Sequence, residues 1–350
     1  VLRKAIDMPT IDHRSSLFGE ILHPALMGVK QVLKSNTAEI FVFPSTGTGG
    51  WETAISNTLS AGDKVLAARN GMFSQRWIDM CQRHGLDVKI IETPWGQGLP
   101  ADRYQEILTA DKDHQIKVVL ATHNETATGV LSDIAAVRRA LDAASHPAML
   151  YVDGVSSIGS MDFRMDEWGV DIAVTGSQKG FMLPAGLAIV GFSPRAMAAL
   201  ETATLARTFF DVRDMGKGYA NNAYPYTPAV GLLNGLKMAT EMLLNEGLDN
   251  VFARHNRIAT GVRAAVNAWG LDLCAASPDL YSNTVSAIRT PDGFDATSIV
   301  TIAADKYGVA FGVGLGEVDG KVFRIGHLGS LTDVMMLSGL ATAEMCMVDL

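Results

Sequence analysis

The chain has 350 residues, 48% of them hydrophobic and 19% charged, with a formal net charge of -8. That composition supports a large folded core with a smaller one beside it and argues against extended disorder. The scattered basic residues draw no nucleic-acid face, no apolar run is long enough to cross a bilayer, and Cys81, Cys274 and Cys346 are spaced for neither a disulfide framework nor a metal pair.

The histidines show no HExxH spacing, so no metal is expected. Three scattered cysteines fit a reducing compartment, and a cytoplasmic protein is expected. The chain opens on Val1 rather than Met, so the natural N-terminus is expected to lie further upstream.

Taken in order, Glu39–Phe43 reads as a strand and Ser45–Gly50 as a glycine-rich turn. A helix follows, with Trp51, Ala54, Ile55, Thr58 and Leu59 at helical spacing. Val65–Ala68 is the next strand, and Phe73, Trp77, Ile78 and Cys81 share a helix face. Val88–Ile91 is a strand, Pro100 opens a helix, and Lys117–Ala121 is a strand. Ser132 or Asp133 caps the helix carrying Ile134, Val137 and Leu141. Met149–Val152, Ile172–Thr175 and Leu187–Gly191 complete seven strands. Such alternation predicts an α/β fold with a mostly parallel sheet sandwiched by helices. Beyond Pro228 the pattern changes: one helix stops at Gly247, and a second carries Val251, His255, Ile258, Val262 and Val266. Strands are expected at Thr284–Ile288 and Lys321–Ile325. A large domain over 1–245 and a smaller C-terminal α+β domain over 246–350 are expected.

In a parallel sheet, ligands bind at the carboxyl ends of the strands. The polar residues of interest fall there. Ser45-Thr46-Gly47-Thr48-Gly49-Gly50 joins a strand to a helix, so its amides and the Thr48 hydroxyl suit a phosphate; a plain tight turn reads the same way. Asp153 ends an apolar strand, placed either to hold a protonated ring nitrogen or to cap a helix. Lys179 follows another strand among small uncharged neighbours, where a lysine loses its proton more easily and becomes a nucleophile for carbonyls; an ordinary solvated lysine is the commoner reading. Phe73 stands where an aromatic ring stacks on a flat cofactor or faces the core. Arg324 lies inside an apolar strand and needs an anion, either a substrate carboxylate or an internal Asp or Glu.

Together these segments resemble class V aminotransferases of the alanine/serine–glyoxylate group. The motifs are Gly47-Thr48-Gly49-Gly50-Trp51-Glu52, Thr122-His123-Asn124-Glu125-Thr126-Ala127-Thr128-Gly129, Val152-Asp153-Gly154-Val155-Ser156-Ser157, Gly176-Ser177-Gln178-Lys179 and Arg324-Ile325-Gly326-His327-Leu328-Gly329. The resemblance runs from Met8 to the last helix. It implies the fold type I of pyridoxal 5'-phosphate (PLP) enzymes, with Lys179 the Schiff-base lysine and Asp153 paired to the pyridine nitrogen. It further implies that Thr48, Gly49, Gly50 and Gln178 hold the phosphate, that Phe73 stacks on the ring and that Thr128 sits at its hydroxyl edge. Tyr224 and Thr227 would reach the partner subunit's cofactor in a homodimer with active sites at the interface, and Arg324 would bind the substrate carboxylate. The activity implied is amino transfer from a small L-amino acid, serine first, to glyoxylate; aspartate or alanine as donor, or a lyase or desulfurase reaction on the same fold, is the alternative. The family's Gly-Pro-rich N-terminal segment and its C-terminal extension would lie beyond the two ends of this chain.

Overall fold

The computed structural model describes residues 1–350. Its central sheet takes β1 (Glu39–Ser45), β2 (Lys64–Arg69), β3 (Asp87–Glu92) and β4 (Ile116–Thr122). After a small hairpin of β5 (Asn124–Glu125) and β6 (Val130–Leu131) come β7 (Met149–Asp153), β8 (Ile172–Gly176) and β9 (Gly186–Phe192). The order across the seven-stranded sheet is β1-β9-β8-β7-β4-β2-β3. Only β9 runs against the others. Each of the seven strands expected from the sequence lies inside an observed one.

The inner strands β8 and β9 are buried almost residue by residue, because helices cover both faces and leave no side for water. The helix Gly47–Thr58 packs on β8 and β9, and Met72–Arg83 packs on β2. Asp133, rather than Ser132, caps the helix Ile134–Ala143, accepting from Ala136 N at 2.9 Å. Gly247 closes the helix Val230–Glu246 with φ 84, a conformation glycine adopts without strain.

Two N-terminal helices, Leu2–Ile6 and Gly19–Val32, were not expected. The second has Pro24 inside it and no side-chain cap, so neither helix signal marks it. It packs on Val230–Glu246 so closely that a Cβ at Gly28 would come within 2.2 Å of Thr240 Oγ1.

The main core surrounds the large sheet. A second core lies between the helices Leu248–Ala268, Thr297–Tyr307 and Asp333–Asp349 and a three-stranded sheet. That sheet has the order β10 (Val285–Arg289), β12 (Val322–Gly326), β11 (Gly312–Val313). The helix Leu248–Ala268 enters both, with Val251 in the main core and Ile258, Val262 and Val266 in the second. No helix is long and apolar enough to cross a membrane.

Phe192 is fully buried, with its ring edge-on to Phe41 at 5.5 Å. Phe192→Ala is expected to cost about 3–5 kcal/mol of folding stability. Urea denaturation checks this; a loss under about 1 kcal/mol would mean that the site is less tightly packed than described.

Candidate active site

The strands β4, β7 and β8 end side by side, with Thr122 paired to Asp153 and Asp153 to Val174. The turn after β1 opens at the same edge and leads into the helix Gly47–Thr58, whose N-terminus has no side-chain cap. Glycines let that turn press inward. A Cβ at Gly47 would lie 2.6 Å from Val155 Cγ2, and one at Gly50 would lie 2.5 Å from Val174 Cγ1. A Cβ at Gly176 would meet Gln178 Oε1 at 3.0 Å and the Gly47 amide nitrogen at 3.5 Å, so the two face one small space. Gln178 Oε1 is buried without a partner. Thr48 is exposed at the mouth of the turn.

Asp153 is 4% exposed, and its Oδ1 accepts the Val155 amide at 2.9 Å. Burial pushes its carboxyl up to about 7, and the Glu125 carboxylate adds to this, while the Val155 amide and the Lys179 ammonium pull the other way. Trp51, from the glycine-rich helix, is buried beside it and stacked on Trp77 at 5.7 Å.

Lys179 sits on a tight turn after β8. Ser177 fixes that turn, its hydroxyl donating to Pro184 O at 2.8 Å and accepting from Leu187 N at 3.1 Å. Gly180 packs on Gly159, and a Cβ there would lie 2.1 Å from the Ile158 carbonyl oxygen. Burial lowers the pKa of the amine below that of an ordinary lysine, and the Arg324 guanidinium lowers it further, against the opposing pull of Asp153.

Thr128 is fully buried, and its hydroxyl has no partner. Phe73 is half-buried in the first turn of Met72–Arg83, with Arg76 over its ring at 5.4 Å. Its amide donates to Glu125, a residue quoted above only as part of a motif. The one signal that marks Glu125 in the sequence is its charge within a run of small and polar residues.

Arg324 lies on β12 in the second core and points back to the main sheet. Nε donates to Val313 O at 2.8 Å and Nη1 to Thr126 O at 3.1 Å. It makes no ion pair, so the internal salt bridge considered from the sequence is not formed, and its remaining N–H groups are free for an anion. A cavity of about 910 Å³ lies elsewhere, beside edge strand β3, and holds none of these residues.

Within this chain Tyr224 turns inward. Its ring is buried against Phe18 and Tyr219, and its hydroxyl donates to Val42 O at 2.7 Å. The neighbours Tyr226 and Thr227 are exposed instead, and the Tyr226 hydroxyl donates to Thr208 O.

These residues fit PLP. The uncapped helix N-terminus with Gln178 beside it suits a phosphate. The orphaned Thr128 hydroxyl suits a ring oxygen, and a buried acid that is costly to ionise alone suits a pyridinium. A lysine of lowered basicity completes the set.

Comparison with known proteins agrees. The family description "Aminotransferase class-V" matches residues 7–316. The chain is 77% identical to the L-aspartate–glyoxylate aminotransferase of Paracoccus denitrificans, over 100% of this chain and 88% of that protein. It is 53% identical to the serine–glyoxylate aminotransferase of Hyphomicrobium methylovorum, over 99% of this chain and 86% of that one. Among solved structures, the pyridoxamine–pyruvate aminotransferase of Mesorhizobium loti superposes with a TM-score of 0.93 at 29% identity, covering 99% of this chain and 88% of that one. On its strand-end lysine and acid, its sheet order and these matches, the chain belongs to the class V aminotransferases, fold type I enzymes that work with pyridoxal phosphate.

Proposed function

We propose that this aminotransferase moves the amino group of a small L-amino acid to glyoxylate, releasing glycine in a ping-pong cycle. The observation that carries this reading is the Arg324 guanidinium, which donates to two backbone carbonyls and makes no ion pair, together with the half-buried Lys179 amine of lowered basicity. When bound, PLP supplies an electron sink for the charge that develops at the substrate α-carbon. Arg324 binds the α-carboxylate and orients the α-carbon. Lys179 Nζ, its basicity lowered by burial, would hold the cofactor's aldehyde carbon and would move a proton from and to the substrate α-carbon. Asp153 holds a proton on the ring nitrogen. Thr48, Gly49, Gly50 and Gln178 are proposed for the phosphate, Phe73 for the ring face and Thr128 for the ring's hydroxyl edge.

Aspartate is placed first as donor, because the likeness to the aspartate enzyme is the greater. Serine is the second reading, favoured by an arginine that offers one cation for one carboxylate. A desulfurase reaction is not favoured, since the three cysteines are buried and a phenylalanine takes the ring-stacking position. We place the enzyme in the cytoplasm as a homodimer with active sites at the interface, where Tyr224 and Thr227 are proposed to reach the partner subunit's cofactor. The separate packing of the second core supports a division at about residue 246.

Purified protein with PLP, glyoxylate and each of aspartate, serine and alanine is expected to form glycine with aspartate and serine. No glycine from any donor would overturn the glyoxylate assignment. Lys179→Ala is expected to lose turnover and the visible absorption of the bound cofactor. Arg324→Ala is expected to raise KM for donor and acceptor alike by about 10–100-fold.

Asp153 gives a pH prediction. Its folded pKa is raised from 3.8 to about 7, so the folded cofactor-free protein holds a proton that the unfolded chain has lost. The stability this contributes is complete below pH 3.8 and falls away as pH rises to about 7. A pyridinium opposite offsets that loss, so PLP should raise the thermal midpoint more at pH 8 than at pH 5. Asp153→Asn should flatten both trends. Thermal melts across this range check it, and equal slopes in the two proteins would refute it.

A further inference from the structure

Glu125 is fully buried and ties three parts of the site together without facing the reaction. Its Oε2 accepts the amides of Phe73 and Ser74, each at 3.1 Å, and its Oε1 accepts the amide of Ala127 at 3.1 Å. Its backbone carbonyl accepts Gly129 N at 2.9 Å and Thr128 N at 3.3 Å. The next residue, Thr126, offers the carbonyl that receives Arg324 Nη1. The fit is close: a Cβ at Gly71 would lie 2.2 Å from Glu125 Cγ.

Burial raises the pKa of this carboxyl above the usual carboxylate range, and the amides of Ala127, Ser74 and Phe73 oppose that by donating to it, as the acceptor-only form requires. Two of the donors open the helix Met72–Arg83, where the helix dipole favours a negative charge. The loop bearing Thr126 and Thr128 is also held from outside, where Thr126 Oγ1 donates to Ser156 Oγ at 2.8 Å and Gly129 O accepts Ser282 N at 3.0 Å, but only Glu125 links it to the helix that carries Phe73. The β5–β6 hairpin beside it pairs only Asn124 with Leu131 and Glu125 with Val130. Burial lowers the pKa of Arg324, and the Glu125 carboxylate opposes that, although the two form no ion pair.

We infer that Glu125 is a positioning residue, which sets the Phe73 ring at the cofactor face and aligns Arg324 for the substrate carboxylate. It acts on both through backbone: on Phe73 through the helix amides, and on Arg324 through the loop carbonyl. The inference rests on the aminotransferase reading above and adds a residue to it.

The test compares wild type, Glu125→Gln, Glu125→Asp and, in parallel, Arg324→Lys. Cofactor release is followed by the loss of visible absorption on dilution, KM and kcat are measured with the best donor, and thermal midpoints are taken without PLP. Gln keeps the size but turns an NH2 toward the amide donors. Glu125→Gln is expected to release PLP about tenfold faster and to raise donor KM by about tenfold, with kcat changed less. Glu125→Asp, which keeps the charge on a shorter stem, is expected to restore part of both. A Glu125→Gln protein with a lower thermal midpoint but with cofactor release and KM within about twofold of wild type would make the residue merely structural and overturn the inference. Should Glu125→Gln not fold, Glu125→Asp decides alone: a smaller shift of the same kind supports the inference, and unchanged constants overturn it. If Arg324→Lys raises KM while neither Glu125 variant moves anything, the aminotransferase reading stands and the role of Glu125 falls. If wild type itself takes up no PLP, both fall.

Discussion

Asp153 ends its strand with a carboxyl almost wholly out of water, and the neighbouring charges are arranged around that fact. A lone buried carboxylate takes up a proton rather than stay charged. Here Lys179 pulls it toward ionisation and Glu125 pushes it away. The site therefore has an unmet need for a cation at the mouth of β7. A protonated pyridine would answer it and, in the same contact, would become a better electron sink, so that on the proposed role of Asp153 binding and activation of the cofactor would be one electrostatic event.

The sheet makes this arrangement possible. Parallel strands bring their carboxyl ends to one edge, where several side chains converge from distant parts of the sequence. β4, β7 and β8 are neighbours there, and β1, two strands away from β8 across the reversed β9, brings its glycine turn to the same edge. Arg324 comes from a different core and reaches the site through Thr126 O and Val313 O. The proposed chemistry is thus split between the main sheet, which carries the amine and the acid, and the small sheet of the second unit, which carries the arginine proposed for the carboxylate.

Much of this was legible in the sequence, for physical reasons that differ by residue. The strands could be read because each is a short apolar run bounded by turn residues. Asp153 and Lys179 stood out as charges directly after such runs. Arg324 stood out as a charge within one, and the structure shows no internal ion pair there. Tyr-Pro-Tyr-Thr offers two equivalent phenols, and only the packing of Phe18 and Tyr219 tells that Tyr224 is the one turned inward within this chain. Glu125 could not be read locally: Phe73, which it holds, lies 52 residues away. The helix Gly19–Val32 hid behind Pro24 and an apolar Phe18 at its N-cap.

The close seating of Gly180 on Gly159 has an evolutionary corollary. Any side chain at position 180 would run into the Ile158 backbone rather than a movable side chain, so the lysine turn has almost no freedom to drift. Changes in which amino acid the enzyme prefers must then accumulate away from that turn. The neighbourhood of Arg324 is the available ground, where the receptor is held through carbonyls that any residue supplies. A lineage can in this way exchange one donor for another while its bond-making centre stays the same.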